Sequence, residues 1–478
     1  MAKRIYLCLA HMSEEGIEQK YIQEAFDTNW VVPLGPNVNG FEKDLEEFVK
    51  SKESVSKQEN ASLLTTHSSL EKKRVVALSS GTAAVHLALI ACGVGPGDEV
   101  IVQSFTFCAS SHPITYLGAK PVFVDSEKDT WNMDPALLEI AIKDRIAKTG
   151  KAPKAIVPVA LYGMPYKIDE IMEIADRYDI PVIEDAAEGF GSRFQGQVLG
   201  TFGKYGVLSF NGNKMITTSG GGALICPDDE SWQKIMWYAT QARESYPYYQ
   251  HEAIGYNYRM SNICAGIGRG QMTVLDEHIK HHRHVQALYE EYFKDVKGVE
   301  VHAQPASGEY DSNYWLCTIV LDPQLKVKGQ ENAYKTMVKG AVGGAAGVIH
   351  AADSATTDCQ PNDNVEAMRM GLDALGIESR PLWKPMHCQP VYKTDKAQVS
   401  SLKSQNGEVV LKSTNSHKKA QRGSLTQINC QTSEKSVAYI NGVSEALFKV
   451  GMCLPAGPCV TDEDVKYICD SIKSLLIP

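Results

Sequence analysis

The sequence predicts an α/β protein with a mainly parallel sheet, followed by a smaller α+β domain. Short apolar runs of strand length alternate with helical patterns between residues 75 and 184. Runs that are apolar along their whole length are typical of parallel strands that are covered on both faces. The chain has 478 residues, which allows about two or three domains. We assign residues 1–270 to a large domain and residues 271–478 to a small one.

The N-terminal segment predicts two amphipathic helices. Apolar residues recur at helical spacing from Ile17 to Phe26 and again from Val38 to Val49. A loop with prolines and a glycine, residues 30–36, separates the two patterns. Residues 51–74 are then rich in Ser, Lys, Glu, Gln and Asn, a composition that predicts a solvated insert.

Strands and helices alternate after this insert. The predicted strands cover residues 75–78, 99–102, 121–125, 156–161 and 181–184, with two more apolar runs at 207–208 and 223–225. Helices are predicted from Gly81, around 114–117 and over 168–178. Ligands of open α/β sheets bind at the carboxyl ends of the strands. Phe107, Asp185 and Lys214 all follow predicted strands, so we expect them at one edge of the sheet.

The C-terminal part predicts several helices and one clear strand. The helices are expected over residues 232–244, 263–292, 366–375 and 442–450, with a last helix after Thr461, and the strand covers 315–321. Two inserts interrupt this part, a Gly-, Ala-, Asp- and Thr-rich stretch at about 326–364 and a polar, slightly basic stretch at about 394–435.

Lys214 lies in segment 209–222, between small polar residues and a glycine run. A lysine between two buried strands is unusual, because burying an unpaired ammonium is costly. Burial lowers the pKa of a lysine, and an unprotonated amine attacks carbonyl carbons. Lys214 is therefore a candidate Schiff-base lysine for pyridoxal 5'-phosphate (PLP). From this segment alone, a surface lysine in a hairpin is the better interpretation, because most lysines have no chemical role.

Two further segments favour the cofactor interpretation. Asp185 ends a predicted strand, where a carboxylate can pair with the protonated ring nitrogen of PLP, although an acid there can also cap the next helix. Gly81 and Thr82 open a helix whose free N–H groups can bind a phosphate. Similar caps occur on helices that bind no ligand. The three segments in this order are more specific than any one of them.

These stretches resemble the DegT/DnrJ/EryC1/StrS sugar aminotransferases, which are PLP enzymes of fold type I, the aspartate-aminotransferase-like fold. The matching stretches are residues 80–89, 95–102, 104–107, 118–125, 161–163, 184–187, 200–203 and 209–222. A closer likeness to the 4-aminotransferases of the UDP-N-acetylbacillosamine pathway adds residues 33–35, 240–244, 255–262 and 380–387. The resemblance covers most of the chain apart from the three inserts.

The resemblance implies further site residues. Phe107 would stack on the pyridoxal ring, Ser209 would bind the cofactor phosphate, and Glu188 would lie beside the ring hydroxyl. Asn257 would reach the phosphate from the partner chain of a homodimer with shared active sites, and Asn313 would contact the sugar. From the pattern alone, Phe107 is an ordinary core residue and Glu188 is a first-turn acid favoured by the helix dipole.

Arg380 and His387 are candidates for binding the diphosphate or the uracil of a UDP-sugar, because a diphosphate needs cations. The resemblance implies that L-glutamate donates its amino group to the 4-keto carbon of a UDP-4-keto-6-deoxy-N-acetylhexosamine. Lys214 and Asp185 would be the catalytic residues. A GDP-sugar 4-aminotransferase or a 3-keto-sugar-nucleotide aminotransferase of the same family would share every cofactor residue.

Other classes of function fit the sequence less well. A dehydratase branch of the family has histidine in place of the lysine, and Lys214 argues against it. A PLP-binding regulator would need a helix-turn-helix or a basic face, and the net charge of −9 with scattered charges predicts no nucleic-acid partner. No apolar run approaches the roughly 20 residues of a membrane span. The 12 scattered cysteines, without a Cys-x-x-Cys pair, predict thiols in a reducing cytoplasm.

No metal site is expected among these residues. His278 and His282 share a helix face at a spacing that can ligate zinc. Lys280 and Arg283 lie among them, and this mixture predicts a solvated basic helix instead.

Overall fold

The structure is a computed structural model, and it describes residues 4–51, 70–334, 359–392, 398–405, 408–412 and 428–477. Within 398–405 and 408–412 only the course of the backbone is described. Most of the first predicted insert and the larger part of the second therefore lie outside the described residues. Among the helices that are described, none has both the length and the apolar content needed to cross a bilayer.

Most helices lie close to the predicted positions, whereas the helix over Pro135–Thr149 is not predicted. The helices are α1 (Ile17–Asp27), α2 (Pro36–Lys50), α3 (Gly81–Ala91), α4 (His112–Tyr116), α5 (Pro135–Thr149), α6 (Ile168–Arg177), α7 (Asp229–Ala239), α8 (Asn262–Met272), α9 (Leu275–Phe293), α10 (Asp363–Ala374), α11 (Val443–Val450) and α12 (Asp462–Leu475). The helix expected over 263–292 is two helices, because residues 273 and 274 separate α8 from α9.

The strands include every predicted one. They are β1 (Arg74–Leu78), β2 (Glu99–Gln103), β3 (Lys120–Val124), β4 (Ile156–Val157), β5 (Ile183–Asp185), β6 (Arg193–Phe194), β7 (Gln197–Val198), β8 (Tyr205–Ser209), β9 (Gly222–Cys226), β10 (Val299–Val301), β11 (Tyr310–Asp311), β12 (Cys317–Leu321), β13 (Lys326–Val327), β14 (Arg380–Pro381), β15 (Gln398–Gln405), β16 (Glu408–Lys412), β17 (Ile428–Thr432), β18 (Val437–Ile440), β19 (Gly451–Leu454) and β20 (Leu476–Ile477).

The large sheet is mainly parallel at its centre. β1, β9, β8 and β5 follow one another, with β9 antiparallel to both neighbours and β8 parallel to β5. Parallel bridges at Ile156–Val182 and Val159–Asp185 continue this group to β4. β4, β2 and β3 then pair in parallel. The prediction of a mainly parallel α/β sheet is confirmed.

Alternate residues of the central strands enter two different cores. In β1, Val75 and Ala77 pack with residues of α2, α5 and α6, whereas Val76 and Leu78 pack with residues of α3 and α7. Side chains of a strand point alternately to the two faces of a sheet. Both faces of this sheet are therefore covered, which explains why its strands are apolar along their whole length.

The C-terminal part also contributes strands to the large sheet. β18 pairs in parallel with β3, and β17, β15 and β16 extend the sheet beyond it. The polar stretch at about 394–435 is therefore not only a loop, because β15, β16 and β17 lie within it. A separate antiparallel sheet in the order β10, β12, β19, β14 has its own core, to which α9, α10 and α12 contribute.

The structure corrects the expectation of a solvated basic helix around His278 and His282. Both side chains are buried in α9. The Nδ1 atom of His278 lies 3.2 Å from the carbonyl oxygen of Met215, and that of His282 lies 3.1 Å from the carbonyl oxygen of Tyr314. They are core histidines whose helix packs against the lysine segment and the start of the small sheet.

Candidate active site

A cavity of about 280 Å³ lies at the carboxyl ends of β5 and β8. It brings together seven of the predicted site residues, which are Gly81, Thr82, Phe107, Asp185, Glu188, Ser209 and Lys214. These residues come from five separate loops and strand ends, as the parallel sheet predicts. The cavity is the one place among the described residues where the expected cofactor groups meet.

Lys214 projects into this cavity from the turn that follows β8. Its side chain is 13% exposed, and its Nζ atom lies 3.6 Å from the Oε1 atom of Glu188. The same ammonium lies 4.1 Å from the ring centroid of Trp315, within the range of a cation–π contact. The indole N–H of Trp315 donates to the carbonyl oxygen of Asn213 at 2.6 Å. This hydrogen bond fixes the Trp315 ring against the turn that carries Lys214. The amine is therefore confined between a carboxylate and an aromatic face.

Asp185 ends β5 and is 4% exposed. The hydroxyl of Ser110 donates to its Oδ2 atom at 2.6 Å, and the backbone N–H of Ala187 donates to its Oδ1 atom at 3.1 Å. Burial raises the pKa of the Asp185 carboxyl, and these two hydrogen bonds act against that rise. A positively charged partner in the cavity would lower the pKa further and stabilise the carboxylate.

Glu188 is a second buried carboxyl on the cavity wall, and burial raises its pKa. The backbone N–H of Tyr162 donates to its Oε2 atom at 2.7 Å. Tyr162 has a left-handed backbone with φ 55°, an unusual conformation for a bulky residue that directs this N–H toward the carboxyl. Gly163 follows with φ +95°, and a Cβ there would lie 1.9 Å from the Oδ1 atom of Asn313. Only glycine fits at that position.

The start of α3 forms the other end of the cavity. Ser80 caps the helix by accepting the N–H of Ala83 at 3.0 Å, which leaves the first-turn N–H groups directed at the cavity. Ser209 lies close by, because a Cβ on Gly81 would be 3.1 Å from the Cβ of Ser209. Gly222 lies beneath, where a Cβ would be 2.4 Å from the Gly81 nitrogen. Helix N–H groups and a hydroxyl together form a binding site for a phosphate.

Phe107 lies in the loop after β2 and is 57% exposed, so it is a wall of the cavity and not a core residue. Its ring centroid is 6.3 Å from that of Trp383. Ser104 fixes the start of the same loop, because its hydroxyl oxygen lies 2.6 Å from the Nδ1 atom of His387. An exposed ring on a fixed loop suits stacking on a flat ligand.

Four predicted residues do not line this cavity, namely Asn257, Asn313, Arg380 and His387. Asn257 is exposed and pairs with Thr240 in an isolated bridge. Arg380 is half-buried, and its guanidinium lies 2.9 Å from the Oε1 atom of Glu378. Neither contacts the cavity of its own chain.

Asn313 and His387 lie behind the cavity wall. The amide of Asn313 is fully buried, donates to the carbonyl oxygens of Glu188 and Phe190, and accepts the N–H of Trp315 at 2.8 Å. His387 is buried, and its Nε2 atom lies 3.1 Å from a carboxylate oxygen of Glu445. In this arrangement the polar atoms of both side chains are used within the protein, which differs from the direct substrate contacts expected.

Four further residues support the site and are not predicted from the sequence, namely Ser110, Tyr162, Trp315 and Trp383. Ser110 contacts Asp185, which lies 75 residues later in the sequence, and Trp315 contacts Lys214, which lies about 100 residues earlier. Nothing in the sequence next to Ser110 or Trp315 predicts these contacts. Tyr162 and Trp383 lie in stretches that carry the family resemblance, but the pattern around each does not predict a site role. For Tyr162 the signal available is its position directly before a glycine.

The chemistry of the cavity fits PLP. An amine able to bind an aldehyde, an acid for a ring nitrogen, an exposed aromatic ring for stacking and a set of phosphate donors all face the same space. Asp185 and the start of α3 supply opposite kinds of charge, as the ring nitrogen and the phosphate of PLP require.

Comparisons with known proteins agree with this assignment. The family model described as the DegT/DnrJ/EryC1/StrS aminotransferase family matches residues 64–344, more than half of the chain. EpsN of Bacillus subtilis, which carries the name of a pyridoxal phosphate-dependent aminotransferase, is 39% identical over 97% of this chain and 94% of its own. The GDP-perosamine synthase of Caulobacter vibrioides is 35% identical over 79% of this chain and 84% of its own.

Solved structures show the same fold. A DegT DnrJ EryC1 StrS aminotransferase from Brucella abortus aligns with a TM-score of 0.70 at 25% identity, covering 96% of this chain and 95% of the other. The sugar aminotransferase Spr1654 from Streptococcus pneumoniae, solved in a PLP form, aligns with a TM-score of 0.71 over 99% of this chain and 98% of the other, at 20% identity. The fold is thus fold type I, the cofactor is PLP, and the chain belongs to the DegT/DnrJ/EryC1/StrS aminotransferase family as a sugar transaminase.

Proposed function

We propose that this enzyme transfers the amino group of L-glutamate to the 4-keto carbon of a UDP-4-keto-6-deoxy-N-acetylhexosamine. The product would be a UDP-4-amino sugar for glycan biosynthesis, as in the bacillosamine pathway. The observation that carries a transamination is the convergence of Lys214, Asp185 and the start of α3 on one cavity. The 4-keto UDP-sugar is supported by the likeness of residues 255–262 and 380–387 to the bacillosamine-pathway enzymes.

PLP, when bound, would supply an electron-withdrawing ring and an aldehyde carbon that carries the amino group between the two half-reactions. Lys214 would hold the cofactor, and its Nζ atom would serve as the general acid and base of the reaction. Asp185 keeps the ring nitrogen charged. Phe107 stacks on the ring, and Gly81, Thr82 and Ser209 hold the phosphate.

Glu188 and Trp315 flank the amine of Lys214 on two sides. Glu188 presents a carboxyl oxygen 3.6 Å from Nζ, and the centroid of the Trp315 ring lies 4.1 Å from Nζ. Both side chains are fixed by hydrogen bonds to backbone atoms. The amine therefore keeps its position while the substrate occupies the cofactor.

The sugar nucleotide has room in a groove next to the cavity. This groove has a volume of about 420 Å³ and shares Thr106, Phe107 and Trp383 with the cavity. It continues to Lys384, whose ammonium can bind a phosphate, and Arg380 lies four residues earlier in the chain. Within this proposal Asn313 and His387 act by positioning the wall residues that the substrate contacts.

The proposal includes a homodimer in which Asn257 of one chain completes the site of the other. Asn257 is exposed and lies outside the cavity of its own chain. Large apolar side chains are exposed nearby in sequence, with Tyr249 80% and Ile254 82% exposed, and such residues often mark interfaces. The cysteines of the described residues form no disulfide, which suits a cytoplasmic enzyme.

A GDP-sugar 4-aminotransferase is the second candidate. GDP-perosamine synthases from Caulobacter vibrioides, Escherichia coli and Vibrio cholerae are all relatives of this chain, at 35%, 30% and 28% identity. A relative from Pseudomonas aeruginosa is 36% identical over 55% of this chain. It is named as a UDP-2-acetamido-2-deoxy-3-oxo-D-glucuronate aminotransferase, so a 3-keto sugar nucleotide is the third candidate acceptor.

The experiment is a panel of keto-sugar nucleotides offered to the PLP-loaded enzyme with L-glutamate. Each reaction is read by the mass of the amino-sugar product and by 2-oxoglutarate release. We expect product with the UDP-4-keto-6-deoxy-N-acetylhexosamine and little with the GDP-4-keto or UDP-3-keto sugars. Product with only the GDP-sugar or only the 3-keto sugar would replace the proposed substrate.

A further inference from the structure

A cluster of metal-ligating side chains lies apart from the PLP cavity. The thiol sulfurs of Cys359 and Cys388 and a carboxylate oxygen of Glu445 all lie within 4.8 Å of one another. None of the three lines the cavity. Cys388 ends the short helical turn Met386–Cys388, and Glu445 lies in the first turn of α11. Three distant parts of the chain therefore converge on one point.

The surroundings of this cluster suit a bound cation. Both thiols are 4% exposed, and Phe448 packs against them as an apolar wall. Cysteine sulfur and carboxylate oxygen both bind divalent transition-metal ions, and the three ligand atoms are close enough to share one ion.

The carboxylate is already oriented toward the thiols. The Nε2 atom of His387 lies 3.1 Å from the Oε1 atom of Glu445, and its Nδ1 atom lies 2.6 Å from the Ser104 hydroxyl oxygen. Second-shell hydrogen bonds of this kind hold the ligands of metal sites in place. Through His387 the cluster is also connected to the loop that carries Phe107.

We propose that Cys359, Cys388 and Glu445 bind a Zn²⁺ ion, with water at the fourth position. Two thiolates and one carboxylate are ligands that zinc accepts, and its bonds of about 2.0–2.3 Å place neighbouring ligand atoms roughly 3–4 Å apart in a tetrahedron. The ion would link Cys359 to the turn Met386–Cys388 and to α11. Its role is structural, and it supports the loop from Ser104 to Phe107 from behind.

A zinc site at this cluster differs from the expectation that the chain has no metal site. The sequence shows no recognisable metal-binding motif here, because 28 residues lie between Cys359 and Cys388 and 56 between Cys388 and Glu445. A disulfide between Cys359 and Cys388 is the main competing state. It would remove both thiolate ligands and so exclude zinc.

The test is the zinc content of the PLP-loaded enzyme, produced with zinc in the medium, freed of any affinity tag and purified without chelators. We compare the unmodified chain with Cys359→Ser, Cys388→Ser, Glu445→Gln and the control Cys92→Ser, whose thiol belongs to no such cluster in the described residues. We expect about one zinc per chain in the unmodified chain and in the control. Both cysteine variants should lose it, and Glu445→Gln should bind zinc at least about 10-fold more weakly.

Two outcomes would overturn the proposal. One is an unmodified chain that contains no zinc, either with both thiols reduced or with an intact mass that shows a disulfide. The other is zinc that persists in both cysteine variants. If a cysteine variant does not fold, the metal content of the unmodified chain and the affinity of Glu445→Gln, measured by competition with a chromophoric chelator, still decide the question.

Discussion

At Asp185, burial and hydrogen bonding act on the carboxyl in opposite directions. Burial raises its pKa, whereas the Ser110 hydroxyl and the Ala187 N–H favour the ionised form. Without the cofactor, a carboxylate in this place reduces the stability of the fold. In the proposed site, the charged ring nitrogen of PLP would pair with this carboxylate. We therefore expect Asp185 to contribute to cofactor binding and not to the stability of the fold.

Asp185→Asn should leave the cofactor-free protein as stable as before or up to about 1 kcal/mol more stable, because a buried charge is removed. Transamination should fall by at least about 100-fold, because the ring nitrogen loses its counter-charge. Thermal unfolding with and without PLP and the rate of 2-oxoglutarate formation measure the two effects.

Asp179→Asn is the matched control for this substitution. Asp179 is exposed and has a left-handed backbone with φ 53°, which asparagine tolerates. This variant should retain activity and stability. A variant Asp185→Asn with normal turnover would show that the carboxylate does not support the ring.

The residues that sequence reasoning finds are those whose position along a strand is itself informative. Asp185 and Lys214 follow apolar runs, and Gly81 opens a helix, so local patterns predict all three. Ser110 and Trp315 are different, because their importance lies in which residue they contact after folding. No local pattern contains that information.

Among the elements, the start of α3 depends most on close packing. Gly222 opens β9 directly beneath it, and a Cβ there would lie 2.4 Å from the nitrogen of Gly81 and 2.7 Å from the carbonyl oxygen of Leu208. Backbone atoms cannot move aside as a flexible side chain can. The end of the cavity that we propose binds the phosphate therefore requires glycine at position 222.

Gly222→Ala should destabilise the protein by about 1–3 kcal/mol and weaken PLP binding, because the added methyl group pushes α3 away from Ser209. Urea unfolding and equilibrium titration with PLP give the two quantities. Gly95→Ala is the control, since a Cβ at Gly95 would meet nothing within 4 Å. Unchanged PLP affinity in Gly222→Ala would contradict the phosphate-site assignment.

Helices and strands with a regular spacing of apolar residues are predicted well from the sequence. Elements that form by pairing with residues far away in the sequence are not. β2 and α6 are expected from local patterns and lie within a residue or two of the expected positions. α5 is missed, although Asp134 caps it by accepting the N–H of Ala136 at 2.9 Å. The strands in the polar stretch at about 394–435 are missed as well. They form at the sheet edge, where β17 pairs with β18, β15 with β17, and β16 with β15.

At the scale of the whole molecule, buried histidines predict how stability depends on pH. Burial lowers the pKa of His282 and of His302 to about 3, whereas an unfolded chain has a histidine pKa of about 6.5. Between these values the unfolded chain binds protons that the native protein does not. Stability contributed by these residues is therefore complete above pH of about 6.5 and is lost as the pH falls toward about 3.

His302→Phe should reduce the slope of unfolding free energy against pH between about pH 6.5 and 4, by up to about 1.4 kcal/mol per pH unit. Phenylalanine keeps an aromatic ring against Trp131, on which His302 stacks at 3.7 Å. Urea unfolding at several pH values gives the slope. His251→Phe, at an exposed position, should not change it. An unchanged slope in His302→Phe would mean that His302 is protonated in the native state.

The proposed sharing of active sites between two chains predicts complementation between two damaged chains. Lys214→Ala should be inactive, and Asn257→Ala should bind PLP weakly. In a mixed dimer, the site with an intact Lys214 also receives an intact Asn257 from the other chain. Mixing the two variants under conditions of subunit exchange should therefore give more activity than the sum of the separate samples. Strictly additive activity in dimers shown to be mixed would contradict the role of Asn257 across the interface.

The central claim is that one amine, at position 214, carries the cofactor. Borohydride reduction of the PLP-loaded enzyme, followed by proteolysis and mass spectrometry, locates the covalently bound pyridoxyl group directly. We predict that the group is found on Lys214, and that Lys214→Arg carries none. A pyridoxyl group found mainly on another lysine, such as Lys384 at the groove, would contradict the account.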